Sequence, residues 1–271
     1  MKPDMKTVSR TILWGLSCAV AFSLGCSSKP SASPAAMPAT KPVVDAYYKV
    51  DPASAGTVSG KIRFTGKKSA PKLIDMGEDP ACVEAHHGKA HDESLLVDSK
   101  GQLANAFIYI KTGLEGKNFE TPQAPVVIDQ SGCWFRPRIL GIQTNQTLQV
   151  VNSDPVTHNI HPMAEVNREW NHSQGPGDAP INRRFTKSEI MIKVKCNIHS
   201  WMHAFIGVLD HPYFAVSKED GSFEIRNLPS GTYTIAVWQE NLGTQEQQIT
   251  ITPHANSEAN FTFPTSKLKG K

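Results

Sequence analysis

Cys196-Asn197-Ile198-His199-Ser200-Trp201-Met202 puts a thiol, an imidazole and a thioether in one short stretch. It follows directly on Ile190-Met191-Ile192-Lys193-Val194-Lys195. There Ile190, Ile192 and Val194 alternate with Met191, Lys193 and Lys195, the period-two pattern of a half-buried strand. Cys196 shares the parity of the apolar set, so its sulfur is expected to face the interior where the strand ends. The loop after it then turns His199 and Met202 back towards the same point. Upstream, Asn152-Ser153-Asp154-Pro155-Val156-Thr157-His158-Asn159 offers a second imidazole. Val156, His158 and Ile160 share a parity, which directs His158 inward as well.

Taken singly, a buried cysteine or a hydrogen-bonded histidine is an ordinary core feature. The set at this spacing is not ordinary. Two histidines, a cysteine thiolate and a weak axial methionine form the donor set of a blue-copper site, where soft sulfur and imidazole hold copper in both oxidation states. Structural zinc sites rarely include methionine, and a binuclear copper centre needs a second cysteine that this loop lacks. Cys-x-x-His-x-x-Met after a strand, preceded by Asn-x-x-x-x-x-His-Asn, resembles the cupredoxin family, with the loop length of amicyanins. Ser200 and Trp201 stand where amicyanins have Pro and Phe. The resemblance covers residues 120–211, including the turn and strand from Gly141 to Asn152. It implies one type 1 copper held by His158, Cys196, His199 and Met202. It further implies outer-sphere electron transfer in which no substrate bond is made or broken, so the chain is expected not to be an enzyme. By the same resemblance His199 is the ligand at the surface edge, where redox protein partners dock, with Trp201 and Met202 in the docking patch. Asn159 is expected to brace the two ligand loops by hydrogen bonds.

The 271 residues suit two domains of about 100 residues each after a leader and linker. A net charge of +3 gives no reason to expect a nucleic-acid partner. Lys2, Lys6 and Arg10 precede a largely apolar run from Thr11 to Gly25, too short for a typical membrane span. Phe22-Ser23-Leu24-Gly25-Cys26 resembles a bacterial lipobox. Residues 1–26 are therefore read as a lipoprotein-type signal peptide, with lipid on Cys26 anchoring the protein to a membrane of the cell envelope. A plain secretory signal is the alternative. Residues 27–55, rich in Ser, Pro and Ala, read as a flexible tether. Of the five cysteines, Cys82 and Cys133 are left for a disulfide in an oxidising compartment or for two separately buried thiols. His86, His87 and His91 near Cys82 leave a second metal site as a further reading.

Thr57 to Phe64 and Leu103 to Lys111 read as strands in residues 56–119, with a less regular stretch between them broken by Asp79-Pro80 and Gly88. In residues 120–211, strands are expected over 126–128, 138–142, 147–152, 157–161, 189–196 and 204–210, with 165–184 as a long surface excursion. In residues 212–264, Asp220-Gly221 marks a turn, and Leu228-Pro229-Ser230-Gly231-Thr232-Tyr233 resembles a tyrosine corner. This last segment resembles the carboxypeptidase regulatory-like, or prealbumin-like, β-sandwich, whose first strand is expected to be Thr57 to Phe64. The fold expected is all-β: a Greek-key cupredoxin sandwich inserted in, or adjacent to, a prealbumin-like sandwich, with a frayed tail at 265–271. The function expected is that of an exported, lipid-anchored copper protein of electron transfer. Two alternatives stand beside it. One is a copper carrier using the same ligands with His161, Met163 and His203 as a looser outer set. The other is a non-redox structural or binding module.

Overall fold

The computed structural model describes residues 46–68, 70–77, 79–87 and 89–264. The leader, Cys26, most of the tether and the 265–271 tail lie outside the described residues. The described body is nearly all β, with one short helix, Pro80–Ala85, among the described residues. No described helix is long and apolar enough to cross a membrane.

Strands from both sides of the middle segment share the same sheets. Ala55–Phe64 pairs antiparallel with Ser222–Pro229 and parallel with Asn256–Glu258 and Phe261–Phe263. The facing sheet runs in the order Phe214–Val216, Phe107–Thr112, Gly231–Gln239, Gly243–Ile251. Val58, Ile62, Ile108, Ile110, Ile235 and Val237 fill the space between the two. The corner read in the sequence is made: the Tyr233 hydroxyl donates to the Pro229 carbonyl oxygen at 2.7 Å. The tether ends earlier than residue 55. The Tyr48 N–H donates to the Asn118 carbonyl at 2.6 Å and Val50 packs on this core, because Tyr47, Tyr48 and Val50 restore apolar surface that the Pro/Ala stretch lacks.

The middle segment forms its own pair of sheets. One is ordered Ile139–Gln143, His203–Leu209, Glu189–Lys195, His158–Met163, His172–Gln174. The other is ordered Phe135–Arg136, Val126–Gln130, Leu148–Asn152, Ile181–Arg183. Ile128, Leu148, Val150, Ile160, Val194 and Ile206 lie between them. Two expectations need correction. Residues 165–184 are not a plain excursion, since His172–Gln174 and Ile181–Arg183 extend both sheets and bury Gln174 and Ile181. The strict alternation through Ile190 also fails. The ladder with His203–Leu209 shifts register between Glu189 and Ile192, with Met191 at a positive φ of 61°. That bulge adds one residue, leaving Ile190 39% exposed and turning Met191 into a second apolar cluster. From Ile192 onward the alternation holds and delivers Cys196 to the interior.

The second cluster joins the two sandwiches. Gly141 and Gly207 lie side by side in the parallel ladder, and a Cβ at either would meet the Phe214 ring at 2.2 Å or the Phe107 ring at 2.5 Å. The missing side chains thus form a slot for two rings stacked 5.8 Å apart. Beside it the Arg138 guanidinium grips the Glu240 carboxylate at 2.8 and 2.9 Å. Both side chains are mostly buried.

Candidate metal centre

Two adjacent strands and one loop set the geometry. Glu189–Lys195 and His158–Met163 pair antiparallel, with Lys195 opposite His161. His158, opening one strand, and Cys196, following the other, therefore come to the same end of the sheet. The loop closes on itself: the Cys196 N–H donates to the Met202 carbonyl at 3.2 Å, and the Met202 N–H to the His199 carbonyl at 3.0 Å. His158, Cys196, His199 and Met202 are 0, 2, 3 and 0% exposed. The donor atoms of His158, Cys196 and His199 all lie within 4.8 Å of one another. The two Nδ1 atoms face each other at 2.8 Å, and the Cys196 Sγ lies 3.9 Å from the His199 Nδ1. Met202 is buried in the same core cluster as Cys196.

Each imidazole is held from behind by a carboxylate. His158 Nε2 meets Asp154 Oδ2 at 2.8 Å, and His199 Nε2 meets Asp79 Oδ2 at 3.2 Å. A ring nitrogen that bonds a carboxylate carries a proton, so each ring turns its Nδ1 towards the other ring. Asp154 is itself cradled. Gly132 and Cys133, both at positive φ, donate their N–H groups to its two oxygens at 2.6 and 2.7 Å. Asp79 caps the helix Pro80–Ala85, its Oδ1 accepting from the Ala81 N–H at 3.0 Å. A Cys82–Cys133 disulfide fastens that helix to the turn that holds Asp154. Asp79, the disulfide and the turn that cradles Asp154 thus form one strap across the imidazole pair.

The two Nδ1 atoms lie at hydrogen-bond distance, so in the metal-free protein a proton on the His158 Nδ1 is shared with the His199 Nδ1 lone pair, and a bound cation would take that proton's place. Burial works against the imidazolium of His158, but Asp154 and Cys196 outweigh it and hold the pKa at about 9. Burial, with the nearby His158, keeps the His199 pKa below its ordinary value despite Asp79. Burial also raises the Cys196 thiol. The His158 ring and the N–H groups of Asn159, His199 and Ile198 more than reverse this and favour the thiolate. The donor set thus fits a soft cation that prefers sulfur and imidazole.

Asn159 takes the bracing place expected of it. It is buried, its Oδ1 accepts the Asn197 N–H at 2.6 Å, and its own N–H points to the Cys196 Sγ at 3.5 Å. His199 departs from expectation. The strap carrying Asp79 covers one edge of the ring, and Trp201 covers its side with ring centroids 5.1 Å apart, so it is not a surface ligand. The outer set His161, Met163 and His203 does not converge. His161 and His203 both lie opposite Lys195 on neighbouring strands, with the lysine between them, and Met163 is exposed. His86 does not turn to a second metal site either, since its Nε2 bonds the Gly132 carbonyl at 2.5 Å. Sequence reasoning missed Asp79 and Asp154. Asp79-Pro80 was a usable signal, an N-cap followed by proline at the first helical position, although six residues hardly announce a helix.

The carboxypeptidase regulatory-like domain matches residues 205–264. No curated protein matches the chain. Among solved structures the chain is similar to the copper-containing nitrite reductase NirK from Thermus scotoductus SA-01, at 24% identity and a TM-score of 0.30 over 37% of this chain and 25% of that one. It therefore spans about a quarter of that enzyme's length. An oxidised mutant of amicyanin is similar at 18% identity and a TM-score of 0.28, over 37% of this chain and 97% of that one. A purple cupredoxin from Nitrosopumilus maritimus is similar at 22% identity and a TM-score of 0.27, over 32% of this chain and 99% of that one. A nearly all-β body whose residues 205–264 match the carboxypeptidase regulatory-like domain is thus what fold and comparison together give.

Proposed function

We propose that this chain is a copper protein of electron transfer, exported to the cell envelope and anchored there by lipid on Cys26. His158, Cys196 and His199 would hold the ion, and Met202 would supply the weaker axial sulfur. One observation carries the reading: two buried imidazoles, each tied through Nε2 to a carboxylate, present their Nδ1 atoms to each other at 2.8 Å beside a buried free thiol. When bound, copper supplies a one-electron couple. The chain's own residues keep water out, fix the imidazole tautomers through Asp79 and Asp154, and hold the sulfur with backbone N–H groups. Such a braced frame changes little between oxidation states. All four side chains are buried, so a substrate finds no open position, whereas an electron needs none. This favours transfer over catalysis, and it also disfavours a carrier that must hand the ion over.

Titration of the metal-free protein with copper(II), followed by visible and paramagnetic-resonance spectra, tests the proposal. An intense sulfur-to-copper charge-transfer band with narrow hyperfine splitting is expected. A pale, square-planar signal would mean adventitious binding by surface histidines and would end the reading.

A further inference from the structure

We infer that Trp201, not the edge of His199, is the place where electrons pass between this protein and its redox partner. The inference rests on the copper reading above and adds a route to it. His199 is 3% exposed, and its outer nitrogen is occupied by Asp79. That aspartate is immobilised three ways: it caps the helix Pro80–Ala85, the helix is fastened by the Cys82–Cys133 disulfide, and both cysteines are buried. A partner therefore cannot reach the His199 ring edge without displacing the strap.

Trp201 lies on the remaining side of that ring. Its indole sits 5.1 Å from the His199 ring, centroid to centroid, tilted by 40°. Its Nε1–H donates to the Cys133 carbonyl at 3.2 Å, which fixes the ring against the strap. Trp201 is only partly buried, and it lines a surface cleft of about 360 Å³ that mixes apolar Leu73 and Ile74 with charged Lys72, Asp75, Asp92 and Arg138. Leu73 is largely exposed there. One aromatic ring thus touches a proposed ligand on one side and solvent on the other. The partner it fits is a one-electron donor protein whose docking face sets apolar groups against Leu73 and Trp201 within a rim of charges of both signs that meets Lys72, Asp75, Asp92 and Arg138. One electron leaves that donor, crosses the indole without residing on it, and reduces copper(II) to copper(I). No bond is made and no proton moves.

The test uses stopped-flow reduction of the copper-loaded protein by an inorganic one-electron complex, together with Trp fluorescence of the metal-free protein. Trp201→Leu should slow reduction about tenfold, equivalent to about 1.4 kcal/mol of activation free energy, with the charge-transfer band and reduction potential unchanged. Trp201→Phe, which keeps a ring, should recover part of the rate. Adding Asp79→Ala to Trp201→Leu should recover it as well, by uncovering His199. In the metal-free protein, the part of the emission lost in Trp201→Phe should be quenched by acrylamide. A wild-type rate in Trp201→Leu with a normal band, or a Trp201 emission that acrylamide cannot reach, overturns the route alone. Absence of the band in the wild-type protein overturns the copper reading and the route together.

Discussion

The two sandwiches each bury a histidine at a strand end, and they treat it differently. In the sandwich built by Ala55–Phe64, Phe107–Thr112 and the strands from Phe214 onward, His211 is closed on both sides. Its Nε2 donates to the Ile110 carbonyl at 3.0 Å and its Nδ1 accepts the Tyr213 N–H at 3.2 Å. Every lone pair and proton has a partner, and the ring does structural work only. In the other sandwich, His158 and His199 are both held through Nε2 by a carboxylate, and their Nδ1 atoms face each other and a thiol. Two imidazoles and a thiol are thus gathered at one buried point, which a strap, two carboxylates and a disulfide surround. A buried histidine therefore points to a site when its second nitrogen faces another imidazole and a thiol, and not when it merely lacks a partner, as the His203 Nδ1 does.

The sharpest way to break this comparison is to swap what makes the two regions differ. Cys196→Ser should abolish the charge-transfer band completely. His211→Gln, at an equally buried position, should leave it whole. Visible spectra after copper addition decide both, and a band that survives Cys196→Ser contradicts the contrast. Next in size is the strap. The disulfide closes a separation of 51 residues, which on the chain-entropy model contributes about 4 kcal/mol. Cys133→Ser should lower unfolding stability by roughly 2–5 kcal/mol in urea titrations and should also uncover His199.

A smaller effect is expected where the sandwiches meet. Gly141→Ala would bring a Cβ to 2.2 Å from the Phe214 ring. Overpacking of this kind costs about 1–3 kcal/mol, read as a lower denaturation midpoint with an unchanged copper spectrum. The smallest expected effect is a pH dependence at His211. Burial depresses its pKa below 6.5, so the unfolded chain binds more protons there than the folded one in mildly acid solution. Its stability contribution is then full above 6.5 and is lost as pH falls through the folded value. His211→Gln should flatten that part of the stability–pH curve. A slope unchanged by the substitution would show that the histidine is not held neutral.

Much of this architecture was legible in the residues. The alternation of Ile192, Val194 and Cys196 is a local pattern, and so is the loop from Cys196 to Met202, which its own hydrogen bonds close. The tyrosine corner is local too, since Tyr233 bonds a carbonyl four residues back. What escaped is set by distance in the chain. Asp79 reaches His199 across 120 residues, and the cradle of Asp154 comes from a turn 21 and 22 residues before it, although Asp154 itself stands only four residues from His158. No local periodicity encodes such contacts. The bulge at Met191 escaped for another reason. An extra residue in one strand is invisible to a pattern of apolar positions until the partner strand is in place.

The central claim is that one thiolate sulfur and two imidazole nitrogens bind a single ion. X-ray absorption at the copper edge of the loaded wild-type protein tests it most directly. The expected result is one short sulfur scatterer and two imidazole groups in the first coordination sphere, in both oxidation states. A first sphere of nitrogen and oxygen alone, with Cys196 still titrating as a free thiol, would contradict it.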